Sequence, residues 1–339
     1  MELVNYISRR VLFIFILILG ITSMVFILTQ LVPGEPELAY LSQRNLSDKE
    51  VVAAFRARWG LDQPLYIQYF KYMENLAHGD LGTSFRTNRP VLVDLKQYLP
   101  ATIELALVAI IIATFFGVLF GVLSATWPNS FLDHFLRTIS VTGVSIPSFW
   151  FALLVLYVFY FHLGWSPGPG RIGAWSNPAE PITNFYIIDS IIQKKWDILN
   201  ESLQHLLWPA IVLGTFTMGL ITRTNRSSLL ETMSMDYIRT ARAKGLGKLA
   251  IVTRHAFGNA FIPVITVIGL GFGNLLGGAV LVETIFSWPG IGMYAYRSAV
   301  SLDYPAITGV ALLIAVNYVV INLIVDIIYG IIDPRIRYQ

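Results

Sequence analysis

Six long apolar segments separated by polar connections dominate the pattern of hydrophobic and polar residues along the chain. A helix needs roughly 20 apolar residues to cross the hydrocarbon core of a bilayer. Six segments, none containing a charged residue, approach or exceed this length: Val11–Leu31, Leu105–Ala125, Thr138–Phe161, Leu206–Thr222, Ala260–Val282 and Tyr304–Val325. The pattern predicts an all-α integral membrane protein with six transmembrane helices.

The first apolar segment also has to be distinguished from a secretory signal peptide, because Arg9 and Arg10 precede it. Its apolar run is longer than a typical signal core, and no small-x-small cleavage site follows it. We therefore interpret it as an uncleaved first helix.

Composition supports a membrane protein and excludes several other classes. Of the 339 residues, 55% are hydrophobic and 13% are charged, whereas soluble domains carry about 25% charged residues. The net charge of +3 is too small to suggest nucleic acid as a partner. The sequence has no cysteine, so it can form neither a disulfide nor a thiolate site.

The distribution of basic residues predicts the orientation of the chain. With the N-terminus inside, the segments 1–10, 126–137, 223–259 and 326–339 are cytoplasmic. Segment 223–259 alone holds seven basic residues: Arg223, Arg226, Arg239, Arg242, Lys244, Lys248 and Arg254. Because short loops rich in Lys and Arg stay in the cytoplasm, an N-in/C-in topology is favoured.

Two long connections, 33–104 and 162–205, are then external. The first contains a predicted helix after Ser47, which forms a capping box with Glu50, and Gly60 can end that helix. The second opens with a Gly/Pro-rich run and continues with a helical stretch near Ile187–Leu203. These segments either dock an extracytoplasmic partner or brace the helix ends, and the sequence leaves both roles open. The predicted organisation is 1–32 as tail and first helix, 33–104 as external domain, and 105–339 as the membrane core with the cytoplasmic loop 223–259.

Small residues recur every four positions in two of the segments. They are Ala113, Gly117, Gly121 and Ala125 in the second, and Gly269, Gly273 and Gly277 in the fifth. This spacing places each set on one helix face and permits close approach of another backbone. Such faces serve tight packing, or they allow helices to slide during gating.

Ionisable residues give no support for an enzyme or for transport driven by an ion gradient. Glu104, Glu283 and Asp326 lie at segment ends, and no charge lies at mid-membrane depth, where ion sites and proton relays are found. The five histidines are scattered without the spacing of metal ligands. A stand-alone secondary transporter remains as an alternative. Such a transporter would work without an ATPase partner, so dependence on an ATPase would exclude it.

The run from Asp236 to Gly245 carries the most specific signal for function. It predicts a short surface helix stopped by Gly245, with a second helical stretch from Lys248 towards Phe257. Arg239 and Arg242 share a face because they are three residues apart. A helix of this kind can sit in a groove on a partner while its arginines meet acidic side chains.

This run, continuing through Arg254 and Asn259 to Pro263, resembles the cytoplasmic coupling loop of ABC importer permeases, and in particular of the dipeptide/oligopeptide family. Arg239, Thr240 and Ala241 stand where the wider family has Glu-Ala-Ala, which is typical of the peptide branch. The resemblance extends over the chain through further motifs: Gly60–Pro64, Gly79–Ser84, Thr102–Leu105, Ser145–Trp150, His205–Pro209, Glu283–Gly292 and Asp303–Pro305. The long insertion between the first two segments is similar to that of the B-type subunit.

The resemblance implies a non-catalytic translocation subunit of the cell membrane. Its partners would be a second, homologous permease subunit, two ATP-binding subunits that hold the ATP and Mg²⁺, an external substrate-binding protein and the lipid bilayer, with no nucleic acid and no cofactor in this chain. The implied ATPase-coupling residues are Asp236, Tyr237, Arg239, Thr240, Ala241, Arg242, Ala243, Lys244 and Gly245. Peptides are the expected cargo, with oligosaccharides or nickel complexes as alternatives.

A second predicted site lies in the external loop Phe286–Gly292. We hypothesise that Phe286, Trp288, Pro289 and Gly290 contact the binding protein or its substrate. The alternative is a tight turn built by Pro289, Gly290 and Gly292.

Overall fold

The computed structural model describes residues 16–17, 19–27, 40–41 and 46–332, and the side chains of these residues as far as Val325. The described chain is helical, and within it the one strand-like feature is an isolated bridge between Thr83 and Pro90. The α-helices are α1 (Lys49–Trp59), α2 (Leu65–Ala77), α3 (Val91–Thr126), α4 (Phe131–Ser145), α5 (Ser148–Val155), α6 (Tyr186–Ile192), α7 (Trp196–Met233), α8 (Asp236–Ala243), α9 (Lys248–Ile251), α10 (Phe257–Gly278), α11 (Val280–Ile285), α12 (Ile291–Val300) and α13 (Tyr304–Ile332). Two π-helical segments, Leu156–His162 and Val252–Ala256, follow α5 and α9 directly.

Four stretches of the described chain are long and apolar enough to cross a membrane: Val91–Thr126, Trp196–Met233, Lys248–Gly278 and Tyr304–Val325. They contain the predicted second, fourth and sixth spans in full and most of the fifth. The predicted first span, Val11–Leu31, lies largely outside the described residues, and residues 16–17 and 19–27 within it are helical. The structure thus confirms a helical protein with several apolar spans.

The predicted third span, Thr138–Phe161, is not one continuous helix. The chain bends by 106° between α4 and the helix that begins at Ser148. Ile146 is extended, with φ −76° and ψ 127°, because the ring of the following proline disfavours helical backbone in the preceding residue. Pro147 then caps the start of α5. If the bent pair is one span, it is a fifth.

Other boundaries also differ from the predictions. The N-cap of α1 is Asp48 rather than Ser47, since the Asp48 carboxylate accepts from the backbone N–H of Glu50 at 3.0 Å. Gly60 ends α1 at φ +67°, as predicted. The predicted stretch Ile187–Leu203 is broken at Gln193–Lys195, and its second part is the beginning of α7.

The chain divides into two compact units. The first comprises residues 1–100 and 290–319, and the second comprises 101–289 and 320–339. The described residues of the predicted external domain, as far as Pro100, therefore group with residues 290–319.

The first unit is organised around the buried carboxylate of Asp303. This carboxylate accepts hydrogen bonds from the Ser84 hydroxyl at 2.5 Å and from the backbone N–H groups of Phe85 and Arg86, each at 3.1 Å. Nearby, burial and then the Asp94 carboxylate raise the pKa of Tyr294. The neutral phenol donates to Asp94 at 3.2 Å.

The second unit is held together by close packing of α3, α4 and α7. A Cβ atom added at Gly117 would lie 2.7 Å from Ile221, and one at Gly121 would lie 2.7 Å from the Asn225 amide nitrogen. These are shorter than van der Waals contacts, so only glycine fits. Gly117 and Gly121 of the second predicted span therefore line a tight helix contact, which agrees with the interpretation that these small residues serve close packing.

Candidate functional site

Helix α8 forms at the predicted place in the second unit and ends where the glycine was expected to stop it. It runs from Asp236 to Ala243, with Lys244 as C-cap, and Gly245 follows at φ +79°. A residue with a Cβ atom is strained in this left-handed conformation, whereas glycine adopts it freely. The prediction of a short helix stopped by Gly245 is confirmed.

One side of α8 is anchored in an apolar cluster. Ile238 is fully buried and Ala241, three residues later, is 7% exposed. We call their surroundings the coupling cluster, which consists of Ala125, Leu229, Ile238, Ala241, Ile251, Val252, Ala256 and Ala260. Residues three apart lie on one helix face, so this face seats α8 on α3, α7 and the segment that follows it.

The remaining surface of α8 is exposed and basic. Arg239 and Arg242 both lie in solvent. Arg239 is paired with Asp236 at 3.3 Å, but the two side chains are 75% and 93% exposed. Exposed pairs of this kind are worth only about 0–1 kcal/mol, so the Arg239 guanidinium can exchange Asp236 for a carboxylate on another protein. The other predicted coupling residues that face solvent are Tyr237, Thr240, Ala243, Lys244 and Gly245.

Tyr237 joins α8 to the start of α10. Its hydroxyl accepts a hydrogen bond from the Asn259 amide at 2.9 Å and donates to the carbonyl of His255 at 3.4 Å. The tyrosine thus fixes the orientation of α8 about its own axis, in addition to the apolar contacts of Ile238. This contact could not be predicted from the sequence, because His255 and Asn259 lie 18 and 22 residues after Tyr237 in the chain.

Apolar side chains extend the exposed surface beyond the predicted helix. Leu246 is 39% exposed and Leu249 is 58% exposed, next to exposed Lys248. Lone exposed leucines need no explanation, but these lie beside basic residues in the turn after Gly245. The complete surface is therefore an apolar patch with a basic rim, of which the sequence analysis identified only the rim.

An ion pair between a buried carboxylate and a half-buried guanidinium lies beside the coupling cluster and joins three helices. Arg226 on α7 donates to both carboxylate oxygens of Asp133 on α4, at 2.8 Å and 2.7 Å. The hydroxyl of Ser124 on α3 also donates to Asp133, whose side chain is fully buried. Arg226 is one of the basic residues of the predicted cytoplasmic segment 223–259, but its partner could not be predicted from the sequence.

A second buried network contains the residues of the predicted external loop. Phe286 and Trp288 are each 1% exposed, and the Trp288 indole donates to the carbonyl of Ala101 at 2.9 Å. The carbonyl of Phe286 accepts from the N–H of Gly170 at 2.7 Å. Pro289 is half-buried and Gly290 is buried. This burial favours the tight turn over an open contact surface.

Charged residues at the helix ends are paired in the same network. Arg171 donates to Glu104 at 2.5 Å, and its guanidinium lies 3.6 Å from the ring centroid of Tyr186. Thr102 donates to Glu283 at 2.6 Å. Glu104 and Glu283, which the sequence placed at span ends, are thus satisfied by partners within the unit. Among the described residues, no three His, Asp or Glu side chains come together as metal ligands.

The sequence matches a known family of proteins over two ranges. Residues 117–338 match the family described as "Binding-protein-dependent transport system inner membrane component". Residues 3–106 match the N-terminal region of the same class of membrane component. The two matches together span nearly the whole chain, including the coupling cluster and the Arg226–Asp133 pair.

Individual relatives are similar over almost their full length. A probable D,D-dipeptide transport system permease protein of Escherichia coli is 45% identical over 95% of this chain and 94% of the relative. A dipeptide transport system permease protein of Alkalihalophilus pseudofirmus is 45% identical over 98% of this chain and 99% of the relative. A di/tripeptide transport system permease protein of Pseudomonas aeruginosa is 42% identical over 99% of this chain and 100% of the relative.

Proposed function

The chain belongs to the family of binding-protein-dependent transport system inner membrane components, and from this premise we propose that it is the permease subunit of an ATP-driven importer that carries di- and oligopeptides from an external binding protein into the cytoplasm. It is a multi-pass protein of the cell membrane. The observation that carries the proposal is helix α8, whose apolar side is seated in the coupling cluster while its basic side faces solvent.

Peptides are proposed as cargo because the three relatives above are named as dipeptide or di/tripeptide permeases. Short peptides differ from the alternative cargoes in carrying an amino and a carboxyl terminus. The external binding protein would select the cargo, and this chain would form part of the path across the membrane.

ATP hydrolysis is assigned to partner subunits. We propose that Asp236, Tyr237, Arg239, Thr240, Arg242, Ala243, Lys244 and Gly245 form the surface that docks into a cleft on an ATPase subunit, with Leu246 and Leu249 filling its apolar floor. Ala241, with Ile238, passes the movement inward because both side chains are buried in the coupling cluster. Two ATPase subunits, a second permease subunit and the binding protein would complete the importer.

We propose the N-in/C-in arrangement with six spans for the whole chain. The bent pair α4–α5 then counts as one span, and residues 11–31 count as the first. The external domain would comprise 33–104, and the loop 223–259 would lie in the cytoplasm. The excess of basic residues in 223–259 supports this orientation.

The loop Phe286–Gly292 receives a different role from the one first expected. Contact of Phe286, Trp288, Pro289 and Gly290 with the binding protein stays a prediction. Because the side chains of Phe286 and Trp288 are buried, the role we propose for this loop is to brace the ends of the surrounding helices.

The proposal is tested by co-expressing the chain with a second permease, both ATPases and the binding protein, and measuring ATP hydrolysis and peptide uptake in proteoliposomes. We expect the complex to copurify and the binding protein to stimulate hydrolysis. Gly245→Pro should abolish this stimulation by distorting the end of α8, whereas an exchange in the external segment, Lys195→Ala, should leave it intact. Uptake without any ATPase would overturn the proposal in favour of a stand-alone transporter.

A further inference from the structure

We infer that the Arg226–Asp133 ion pair fixes the register of α4 against α7 and so carries the movement of α8 into α4; this inference rests on the proposed function. Arg226 and Asp133 are positioning residues in this scheme, since neither touches ATP or peptide. Their role is to convert a displacement at the cytoplasmic surface into a displacement of a helix that does not contribute to that surface.

The geometry of the pair restrains both distance and orientation. Arg226 uses two nitrogens, Nε at 2.8 Å from one oxygen of Asp133 and an Nη atom at 2.7 Å from the other. The backbone N–H of Asn129 donates to the same carboxylate at 2.9 Å, and Ser124 adds its hydroxyl. A two-point contact of this kind resists rotation and sliding as well as separation.

Two of the three helices joined by the pair also form the seat of α8. Ala125 of the coupling cluster directly follows Ser124 on α3, and Leu229 of that cluster lies three residues after Arg226 on α7. Of the residues that the structure describes, the cluster and the side chains packed against it include none from α4. At this end of the unit, α4 is therefore tied to the seat of α8 through Asp133 and its hydrogen bonds.

Further along, glycines allow α4 and α7 to come into close contact. A Cβ atom at Gly219 would lie 2.5 Å from the carbonyl oxygen of Ser140, and one at Gly143 would lie 2.9 Å from Thr215. The side chains of Thr215 and Val144 occupy the space beside these glycines and so also oppose sliding of one helix along the other. The ion pair adds a second, two-point restraint on the register near the beginning of α4, beside the seat of α8.

A displacement of α4 would reach the cavity at the bend between α4 and α5. Helix α4 leads into the 106° bend at Ile146, where α4, α5 and α7 line a partly open cavity of about 300 Å³. Thr142 and Ser148 line this cavity from the two sides of the bend, and Phe216 lines it from α7. A shift of α4 along α7 would change the shape of this cavity. If α4 were not linked to α7 through the ion pair, a displacement of α8 would not determine the position of α4.

The test measures how much peptide moves for each ATP hydrolysed, using the complete complex in proteoliposomes. The probe is a radiolabelled dipeptide that the binding protein retains in equilibrium dialysis. The variants are Asp133→Asn, Arg226→Gln and the double variant, and the matched control is Arg137→Gln, which replaces an exposed arginine on α4. We expect hydrolysis to continue while peptide moved per ATP falls at least about fivefold, the lower range of typical coupling between sites.

The double variant keeps the inference falsifiable if a single variant fails to fold, because it leaves neither charge buried without a partner. If the pair acts as a unit, the double variant loses no more than either single variant does. An unchanged ratio of peptide to ATP in the double variant would overturn the inference, as would an equal loss in Arg137→Gln. Failure of the wild-type complex to hydrolyse ATP or to move peptide would instead contradict the proposed function.

Discussion

Arg171 and Glu104 form an ion pair of 2.5 Å in which the side chains are only 6% and 5% exposed. They lie 67 residues apart in the chain, and the Glu104 carboxylate also accepts from the backbone N–H of Ile187 at 2.8 Å. The pair thus fastens the long connection after the π-helical segment to the beginning of the apolar part of α3.

Removing one charge of this pair is expected to destabilise the protein strongly. Glu104→Gln leaves Arg171 buried without a counter-charge, and breaking such a pair costs about 3–5 kcal/mol. Unfolding of the detergent-purified protein in a denaturant titration should show the loss, with exposed Glu180→Gln as control. The double variant Glu104→Gln/Arg171→Met should lose less than Glu104→Gln alone, and a loss equal to or greater than that of the single variant would contradict a coupled pair.

Trp288 is expected to act through stability rather than through contact with the binding protein. Trp288→Ala removes a buried side chain and its hydrogen bond to Ala101, so we expect a loss of about 3–5 kcal/mol. Binding of the external protein to the folded fraction should be unchanged in a pull-down titration. A variant that folds as well as wild type but binds less would restore the original contact hypothesis.

The neighbouring Ser287 offers a matched control for that experiment. It is exposed and has φ +50°, a left-handed conformation that costs an L-residue about 1–2 kcal/mol. Ser287→Gly should therefore leave stability unchanged or raise it slightly, even though the residue adjoins Trp288. A large loss would show that the serine side chain has a role that its exposure does not suggest.

The basic rim of α8 is expected to contribute to association with the ATPase. Two exposed ion pairs at about 0.2–1 kcal/mol each correspond to roughly 2–30-fold weaker binding for Arg239→Ala/Arg242→Ala. The loss should shrink as salt is raised, because exposed charges are screened. Copurification of the ATPase at increasing salt measures this effect. If the variant and the wild type bind the ATPase equally at low salt, Arg239 and Arg242 do not contribute to the interface.

The orientation can be tested directly because the sequence contains no cysteine. Single cysteines at Trp175, which is fully exposed, and at exposed Thr240 can be labelled with a membrane-impermeant maleimide. Trp175→Cys should react in intact cells, whereas Thr240→Cys should react only after permeabilisation. The opposite pattern would reverse the proposed topology.

Alanine is expected to have contrasting effects at two helical glycines. Gly219 lies in the contact between α4 and α7, and Gly258 lies near the start of α10. Gly219→Ala places a methyl group 2.5 Å from a backbone carbonyl, and overpacking of this kind typically costs about 1–3 kcal/mol. Gly258→Ala meets no atom within 4 Å and should stabilise α10 by about 0.5–1 kcal/mol. Thermal unfolding midpoints of the two variants should move in opposite directions.

Hydropathy and local chemistry were sufficient to predict the spans in α3, α7 and α13 and the short helix ended by Gly245, since these depend on residues close together in the chain. The bend at Ile146 could have been suspected from Pro147, but a continuous apolar run concealed it. Asp48 replaced Ser47 as the cap because neighbouring polar residues compete for the same N–H groups.

Contacts between distant residues could not be predicted in the same way. Arg226 and Arg171 appear in the sequence as ordinary basic residues, and their partners lie 93 and 67 positions away. The burial of Trp288 likewise depends on Ala101 and on the helices around it. Pairing of this kind is decided by tertiary packing, which a single sequence does not encode in any local pattern.

The Asp303 carboxylate, finally, sets an order of events during synthesis. Its partner Ser84 leaves the ribosome 219 residues earlier, which is about 10–45 s at 5–20 residues per second. The first unit cannot close around this carboxylate until the intervening spans have been made and inserted. Until Asp303 is made, the hydrogen-bond donors of residues 84–86 have to be satisfied by water, so this part of the first unit is completed late in synthesis.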